Sequence, residues 1–212
     1  MLNSCSRLSS VEPTVPVRQD ALTRMKGSAV SELASRGQLR WSFARWAAIA
    51  VPLILLLGFL SGRSVPAGAD NAWYGALAKP SYNPPDWAFP VAWSLIYICM
   101  GLAVAVVLNA RRARGRVLAL LSFAALLLLL LGWQPLFFGA HKVWAALGLI
   151  VAILLVGIVT TALFGQVRRT AALLMVPLLL WVSFAGLLCW QIASMNPDAE
   201  RLVPGGRTTQ ML

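Results

Sequence analysis

Five apolar runs of membrane-crossing length, at approximately 43–62, 88–110, 117–139, 143–165 and 170–193, constrain this chain more than anything else in it. Each lies near the ~20 residues that a helix needs to cross a hydrocarbon core of ~30 Å. Within lipid every backbone polar group needs an internal partner, so the spans must be helices or a closed barrel, and five segments of this length fit no barrel. Hydrophobic residues make up 59% of the sequence and charged ones 12%, too few to cover an ordinary soluble domain. Links near 111–116, 140–142 and 166–169 are short and force antiparallel neighbours. The expected fold is an all-α integral membrane protein, a five-transmembrane-helix bundle with one long loop between helices 1 and 2.

The bundle is expected over 41–196. Residues 1–40 carry serines, prolines and mixed charge without periodicity, and predict a mobile cytoplasmic N-terminal tail with at most a short helix near Ala21 to Ala34. Residues 197–212 predict a flexible C-terminal tail. Pro66 to Ala69 has the look of a signal-peptidase site, but the polar leader of about 40 residues before the first run is too long, so that run is expected to be a retained helix.

The net charge of +11 invites a nucleic-acid reading until the charges are located. Seven basic and three acidic residues precede or include Arg45, four arginines lie in Arg111–Arg116, and Arg168 and Arg169 follow the fourth run. All of these fall on one side of the membrane, a net +10 there against +1 on the other. Positive residues mark the cytoplasmic side, so the N-terminus is expected inside and the long loop and C-terminus outside. Topology alone then accounts for the basic residues, and no nucleic-acid partner is expected. The distribution suits a bacterial cytoplasmic membrane.

Past Arg45, the spans hold no Asp, Glu, Lys, Arg or His. Proton relays and intramembrane hydrolysis need ionisable groups at such depths, so an acid–base enzyme is not expected. Cys5, Cys99 and Cys189 show no metal spacing and read as packing residues. The lone His141 sits in a tight turn beside Lys142 with no second ligand near it in sequence, so no metal site is expected.

The long loop is dense in prolines and aromatics from Trp73 to Trp93, which predicts a stiff cap over the outer end of the bundle. Five tryptophans, at 73, 87, 133, 144 and 190, fall at or near that outer face. Interfacial preference explains part of this bias. The sharper reading is an aromatic cavity under the loop. Phe89, Trp93 and Tyr97 recur every four residues and share one face of the second helix, and Trp133 and Phe137 do the same on the third. Pro177, four residues before Trp181, predicts a kink in the fifth helix, and Pro135 a similar disturbance in the third. Gly101, Ala105, Ala185 and Gly186 either leave room for a flat guest or serve close helix packing.

Trp73-Tyr74, Leu77, Lys79-Pro80, Tyr82, Pro84-Pro85, Phe89 and Trp93, then Leu95-Ile96-Tyr97 and Met100-Gly101, closely resemble the loop and second helix of the TspO/translocator protein family, the tryptophan-rich sensory proteins. Gly58, Ser61-Gly62, Trp133, Phe137-Phe138-Gly139, Pro177, Leu179 and Trp181 extend the resemblance over roughly 45 to 196. It implies a five-helix bundle, commonly dimeric, whose cavity under the first loop binds porphyrins, sterols and other hydrophobic molecules. Carried over by residue, the implied ligand-binding positions are Tyr82, Pro84, Pro85, Phe89, Trp93, Tyr97, Trp133, Phe137, Trp181 and Ala185, with Lys79 as a charge partner for a ligand propionate or else a solvated loop lysine. No cofactor is required on this reading; the expected guest is a porphyrin, haem or an apolar lipid. Light-dependent porphyrin breakdown is the one enzymatic activity the resemblance suggests.

Three positions depart from the family pattern. Leu130 stands where Asn is usual, Leu178 where Tyr is usual, and Cys189 where a second Asn is usual. A carboxylate-bearing ligand loses partners worth ~1 kcal/mol each by these changes. The expected consequence is a less polar guest, or a cavity filled by the protein's own side chains. The alternative function is thus a structural or regulatory subunit of a larger membrane complex, docked through apolar surface such as Leu126–Leu131.

Overall fold

The computed structural model describes residues 17–202 apart from Arg112, with side chains described from Gly37 onward except Leu39. The chain divides into two compact units, one up to Trp41 and one from Ser42 on. Helix α1 runs over Val17–Gly62, so Ala21–Ala34 is helical as part of a much longer element than the sequence predicts. Residues 1–16 and 203–212, to which parts of the two expected tails belong, lie outside the described residues.

The second unit is the membrane bundle. Five helical segments are long and apolar enough to cross a bilayer: Arg40–Gly62, Ala88–Asn109, Arg116–Gly139, Val143–Val167 and Arg169–Met195. They correspond to the end of α1, to α3 (Ala88–Asn109), to α4 (Arg116–Gln134) with its continuation, to α5 (Val143–Val167) and to α6 (Arg169–Met195). The short α2 (Ala72–Ala76) lies in the long loop. The packing runs α4 on α5, α5 on α6 and α6 on α3. Only Arg168 separates α5 from α6, in extended backbone, so the chain reverses within one residue.

Lipid-like surroundings explain why these helices are apolar all round. Leu128, Leu155, Leu173, Leu180 and Leu187 are all more than half exposed on the outer faces, where hydrocarbon would be their solvent. The interior is close-packed around Met100, Leu126, Ile153, Phe164, Met175 and Leu178. The run Leu126–Leu131 is therefore not one surface: Leu126 and Leu130 are core residues, and Leu128 faces outward. Several hydroxyl side chains inside the spans bond within the bundle, as suits a medium without water. Ser122 and Thr160 pair across α4 and α5 at 2.6 Å, and Thr161, Ser94 and Ser194 each donate to the carbonyl four residues earlier.

Small residues set the closest approach of α1 to α3. A methyl on Gly101 would stand 2.7 Å from the Cα of Val51, and one on Gly58 would overlap the ring of Tyr97. Ala105 is fully buried, and a methyl on Gly186 would stand 3.2 Å from Ile150. Here these positions serve close helix packing.

Proline explains the one irregular turn. Pro135 has no N–H to give to the carbonyl of Leu131, and its ring crowds that carbonyl. The α-helix gives way to a π-helical turn over Pro135–Gly139. The carbonyl of Leu131 accepts instead from Ser61 Oγ at 2.8 Å, and Gln134 Nε2 donates to Gly62 O at 3.1 Å. The same break that widens α4 thus fastens it to the end of α1.

Candidate functional site

The long loop closes over the bundle through a few specific bonds. Asn71 is buried and caps α2, its Oδ1 accepting from the Tyr74 amide at 2.9 Å. Its Nδ2 donates to Pro66 O at 2.8 Å and to Phe138 O at 3.1 Å, which joins the loop to the π-turn. Gly68 has φ of +60°, and its neighbour Ala69 donates its amide to Asp86 at 3.1 Å. A side chain at Gly68 would be strained in backbone and would press on that carboxylate. Both ends of the loop are thereby tied together.

Below the loop, Trp73 is 1% exposed and Tyr74 5% exposed, so α2 turns its aromatic face fully inward. Trp73 Nε1 donates to Ala199 O at 2.8 Å, and Asn196 exchanges two 2.9 Å bonds with the backbone of Ala78. Ala199 is buried in the 3₁₀ turn Ala199–Arg201, and Glu200 accepts from the Trp144 amide and pairs with Lys142 at 3.4 Å. The beginning of the expected C-terminal tail is therefore a strap across the loop.

The predicted rings meet in three groups. Trp133 and Phe137 stack at 5.0 Å, and Phe137 meets Trp73 at 5.5 Å and Tyr74 at 6.2 Å edge-on. Phe138 joins them against both Tyr74 and Trp133. Phe89 of α3 meets Trp181 of α6 edge-on at 5.9 Å, and Trp181 in turn meets Phe184. Trp93 and Tyr97 stack at 5.3 Å, with Tyr97 seated over Gly58. Ala185 is half-buried one turn beyond Trp181. Such pairs contribute about 0.5–1.5 kcal/mol each beyond burial.

The loop residues are placed differently. Tyr82 is 51% exposed, Pro85 is exposed and Pro84 half-buried. The ammonium of Lys79 lies 4.5 Å above the Tyr74 ring and donates to Leu77 O at 3.3 Å. Among the described residues it has no carboxylate within salt-bridge distance. Burial, and after it the charge of Asp86, push the Tyr74 phenol above its ordinary pKa of 10, while its 3.3 Å bond to Asn83 pulls the other way.

One polar atom in this region is conspicuous. Trp133 Nε1 is buried and donates to nothing among the described residues. An unmade buried bond of this kind costs about 1–3 kcal/mol. His141 stacks on Trp73 at 4.5 Å with φ of +57°, a turn residue held in place by its ring contact. Among the described residues no group of three His, Cys, Asp or Glu side chains gathers as a metal site requires.

Sequence reasoning does not place His141, Phe184, Asn196 or Ala199 here. Phe184 has a signal, three residues after Trp181 on the same helix. Asn196 and Ala199 have none, because their partners are backbone or loop atoms more than a hundred residues away. The three departures from the family pattern are core positions: Leu130 is 6% exposed, Leu178 1% and Cys189 3%. Their loss of polarity falls on helix packing, with Cys189 Sγ lying 3.8 Å from Val143 O.

Comparison with known proteins agrees with this architecture. The profile of the TspO/MBR family matches residues 48–195. The chain is 40% identical over 151 residues to the tryptophan-rich protein TspO of Chlorobaculum tepidum, covering 71% of this chain and 95% of that one. It is 35% identical to the tryptophan-rich sensory protein of Cereibacter sphaeroides, over 69% of this chain and 96% of that one. It is 32% identical to the translocator protein of Bos taurus, over 73% and 95% of the two chains. With its five spans, its loop and these matches, the chain belongs to the TspO/MBR family of membrane proteins.

Proposed function

We propose that this protein is a membrane-embedded binding or sensory protein that takes a flat hydrophobic ligand, a tetrapyrrole or a sterol- or carotenoid-like lipid, among the aromatic side chains beneath the first loop. The observation that carries the reading is the indole N–H of Trp133, buried among Phe137 and Phe138 without an acceptor among the described residues. Buried donors are nearly always paired, and a ligand carbonyl, carboxylate or ring nitrogen would supply the missing acceptor. The partly buried rings of Trp133, Trp93 and Trp181 suit a planar guest, whose burial contributes about 25 cal/mol per Å². The Lys79 ammonium, held by neutral groups, is available to a propionate at the edge of such a guest. On this reading the loop is a lid whose bonds to Phe138 and Asn196 must loosen for entry.

The same reading puts the N-terminus and the Arg111–Arg116 link on the cytoplasmic side of a bacterial inner membrane, supported by the net charge of +10 against +1. Impermeant thiol labelling of Gly75→Cys, in the loop, but not of Arg114→Cys checks that orientation.

The test of the ligand is a titration of the purified full chain with protoporphyrin IX and with haem, following tryptophan quenching. Saturable micromolar binding, weakened about tenfold or more by Trp93→Ala or Trp181→Ala, is expected. Quenching no stronger than that of an unrelated membrane protein would refute a tetrapyrrole, and unchanged affinity in both variants would refute this location.

A further inference from the structure

A second place in the molecule has the makings of a binding site, at the opposite end of the bundle from the loop. A groove of about 480 Å³ opens at the start of α4, walled by Arg111, Ala113, Arg116, Val117, Leu118 and Leu121. Three features of this wall belong together. The Nε of the partly exposed Arg116 is itself covered and has no acceptor among the described residues. Helix α4 begins at Arg116 after Gly115, which has no side chain, so no N-cap side chain takes up the first-turn amides. No acidic residue occurs between Asp86 and Asp198, so nothing in that stretch of sequence neutralises the arginines.

The chemistry that fits is a phosphate monoanion or diester. Arginine presents a planar fork of donors matched to phosphate oxygens, and a helix N-terminus adds oriented amides and a favourable dipole. The rest of the wall specifies what the phosphate is attached to. Val117, Leu118 and Leu121 are 70%, 58% and 63% exposed, and their spacing places them along one side of the helix. They begin the span Arg116–Gly139, so this apolar strip continues into the hydrocarbon region. A free anion has no use for that strip, whereas an acyl chain does.

We infer that this groove binds an anionic phospholipid of the adjoining leaflet, its phosphate held by Arg111, Arg116 and the first turn of α4 and one acyl chain lying on Val117, Leu118 and Leu121. The inference is independent of the ligand proposed beneath the loop.

The experiment is a titration of the full chain in mild detergent with short-chain phosphatidylglycerol and with phosphatidylcholine of the same chain length, counting bound lipid by native mass spectrometry. One saturable phosphatidylglycerol per chain is expected, with phosphatidylcholine at least tenfold weaker. Each basic side chain at an anionic lipid surface contributes about fivefold, so Arg111→Gln with Arg116→Gln should weaken the anionic lipid about thirtyfold. Arg168→Gln with Arg169→Gln removes the same charge from exposed positions outside the groove and should leave the tight site intact. Equal losses in the two pairs would reduce the effect to general surface charge and overturn the site. Displacement of the lipid by inorganic phosphate at matched concentration would overturn the lipid in favour of a free-anion site. The wild type supplies a check that no folding defect can obscure: its affinity for phosphatidylglycerol must fall as salt rises, and a salt-independent affinity equal to that for phosphatidylcholine refutes the proposal.

Discussion

Replacing Trp133 by Phe separates two effects that most substitutions in an aromatic site confound. The ring contacts survive, because Phe keeps a face for Phe137 to stack on at a separation near the present 5.0 Å. Two changes act on the unliganded protein in opposite directions. Removing about 40 Å³ from a packed site costs about 1 kcal/mol at ~24 cal/mol per Å³. Removing the unpaired buried N–H returns about 1–3 kcal/mol of desolvation penalty. The net effect on stability is therefore small or favourable, in contrast to the ~3–5 kcal/mol loss that truncation of a buried Trp to Ala brings. Ligand binding responds in the other sense. A ligand that gives Trp133 an acceptor loses one hydrogen bond worth about 1–1.5 kcal/mol, a five- to tenfold weaker affinity. The assay pairs thermal unfolding in detergent with titrations of protoporphyrin IX and of a saturated sterol hydrocarbon that has no acceptor. Trp133→Phe should leave the unfolding temperature within a few degrees of wild type, weaken the porphyrin and spare the hydrocarbon. A loss of stability above about 3 kcal/mol would show that the indole N–H is satisfied in solution, and equal weakening of both ligands would refute its role as a donor to the guest.

Gly58→Ala should destabilise the bundle by about 1–3 kcal/mol, because the new methyl overlaps the Tyr97 ring, and pairing it with Tyr97→Leu should recover part of the loss in chemical unfolding. Trp73→Phe removes the 2.8 Å bond to the buried Ala199 carbonyl, which keeps only the 3.4 Å bond from the Leu202 amide, and should cost about 0.5–1.5 kcal/mol and speed proteolysis in the loop. Glu200→Gln breaks only the exposed pair with Lys142 and should change stability by less than about 1 kcal/mol. Tyr74, whose phenol is pushed above its ordinary pKa of 10 by burial, stabilises the loop fully below pH 10. That contribution is lost as pH rises through the folded pKa, since the unfolded chain releases its proton first. Tyr74→Phe should abolish this alkaline loss, read as the pH dependence of protease cleavage in the loop.

The spans are legible in the sequence because lipid leaves a helix no choice. An unbroken apolar run of the right length has one solution, and the predicted bounds fall within three residues of those observed, as in 170–193 against Arg169–Met195. Ring pairs four apart, Trp133 with Phe137 and Trp93 with Tyr97, are legible from helical spacing for the same local reason. The grouping of those pairs is not. Which helix meets which depends on side-chain volumes across interfaces, so nothing in the spacing of Phe89 says that it meets Trp181 while Phe137 meets Trp73. Pro135 announces a disturbance, but its form, a π-turn whose freed carbonyl is taken by Ser61, depends on a residue in another helix. The start of α1 at Val17 escapes sequence reasoning because that stretch lacks the amphipathic pattern by which helices announce themselves.

The strap that crosses the loop also sets an order of events. Loop residues Trp73 and Ala78 are fastened by Ala199 and Asn196, which follow the last span, and Asn71 by Phe138 at the end of the third. A ribosome delivers the loop long before any of these partners exists. Through the insertion of four further helices the aromatic face of α2 has no finished surface to lie on, and the final shape of the loop waits for the last segment of the bundle to arrive. Closure of the cap is thus a late step of biogenesis, and a chain released just after Met195 would carry all five spans and a loop held at Asn71 by Phe138 but without the strap over Trp73 and Ala78.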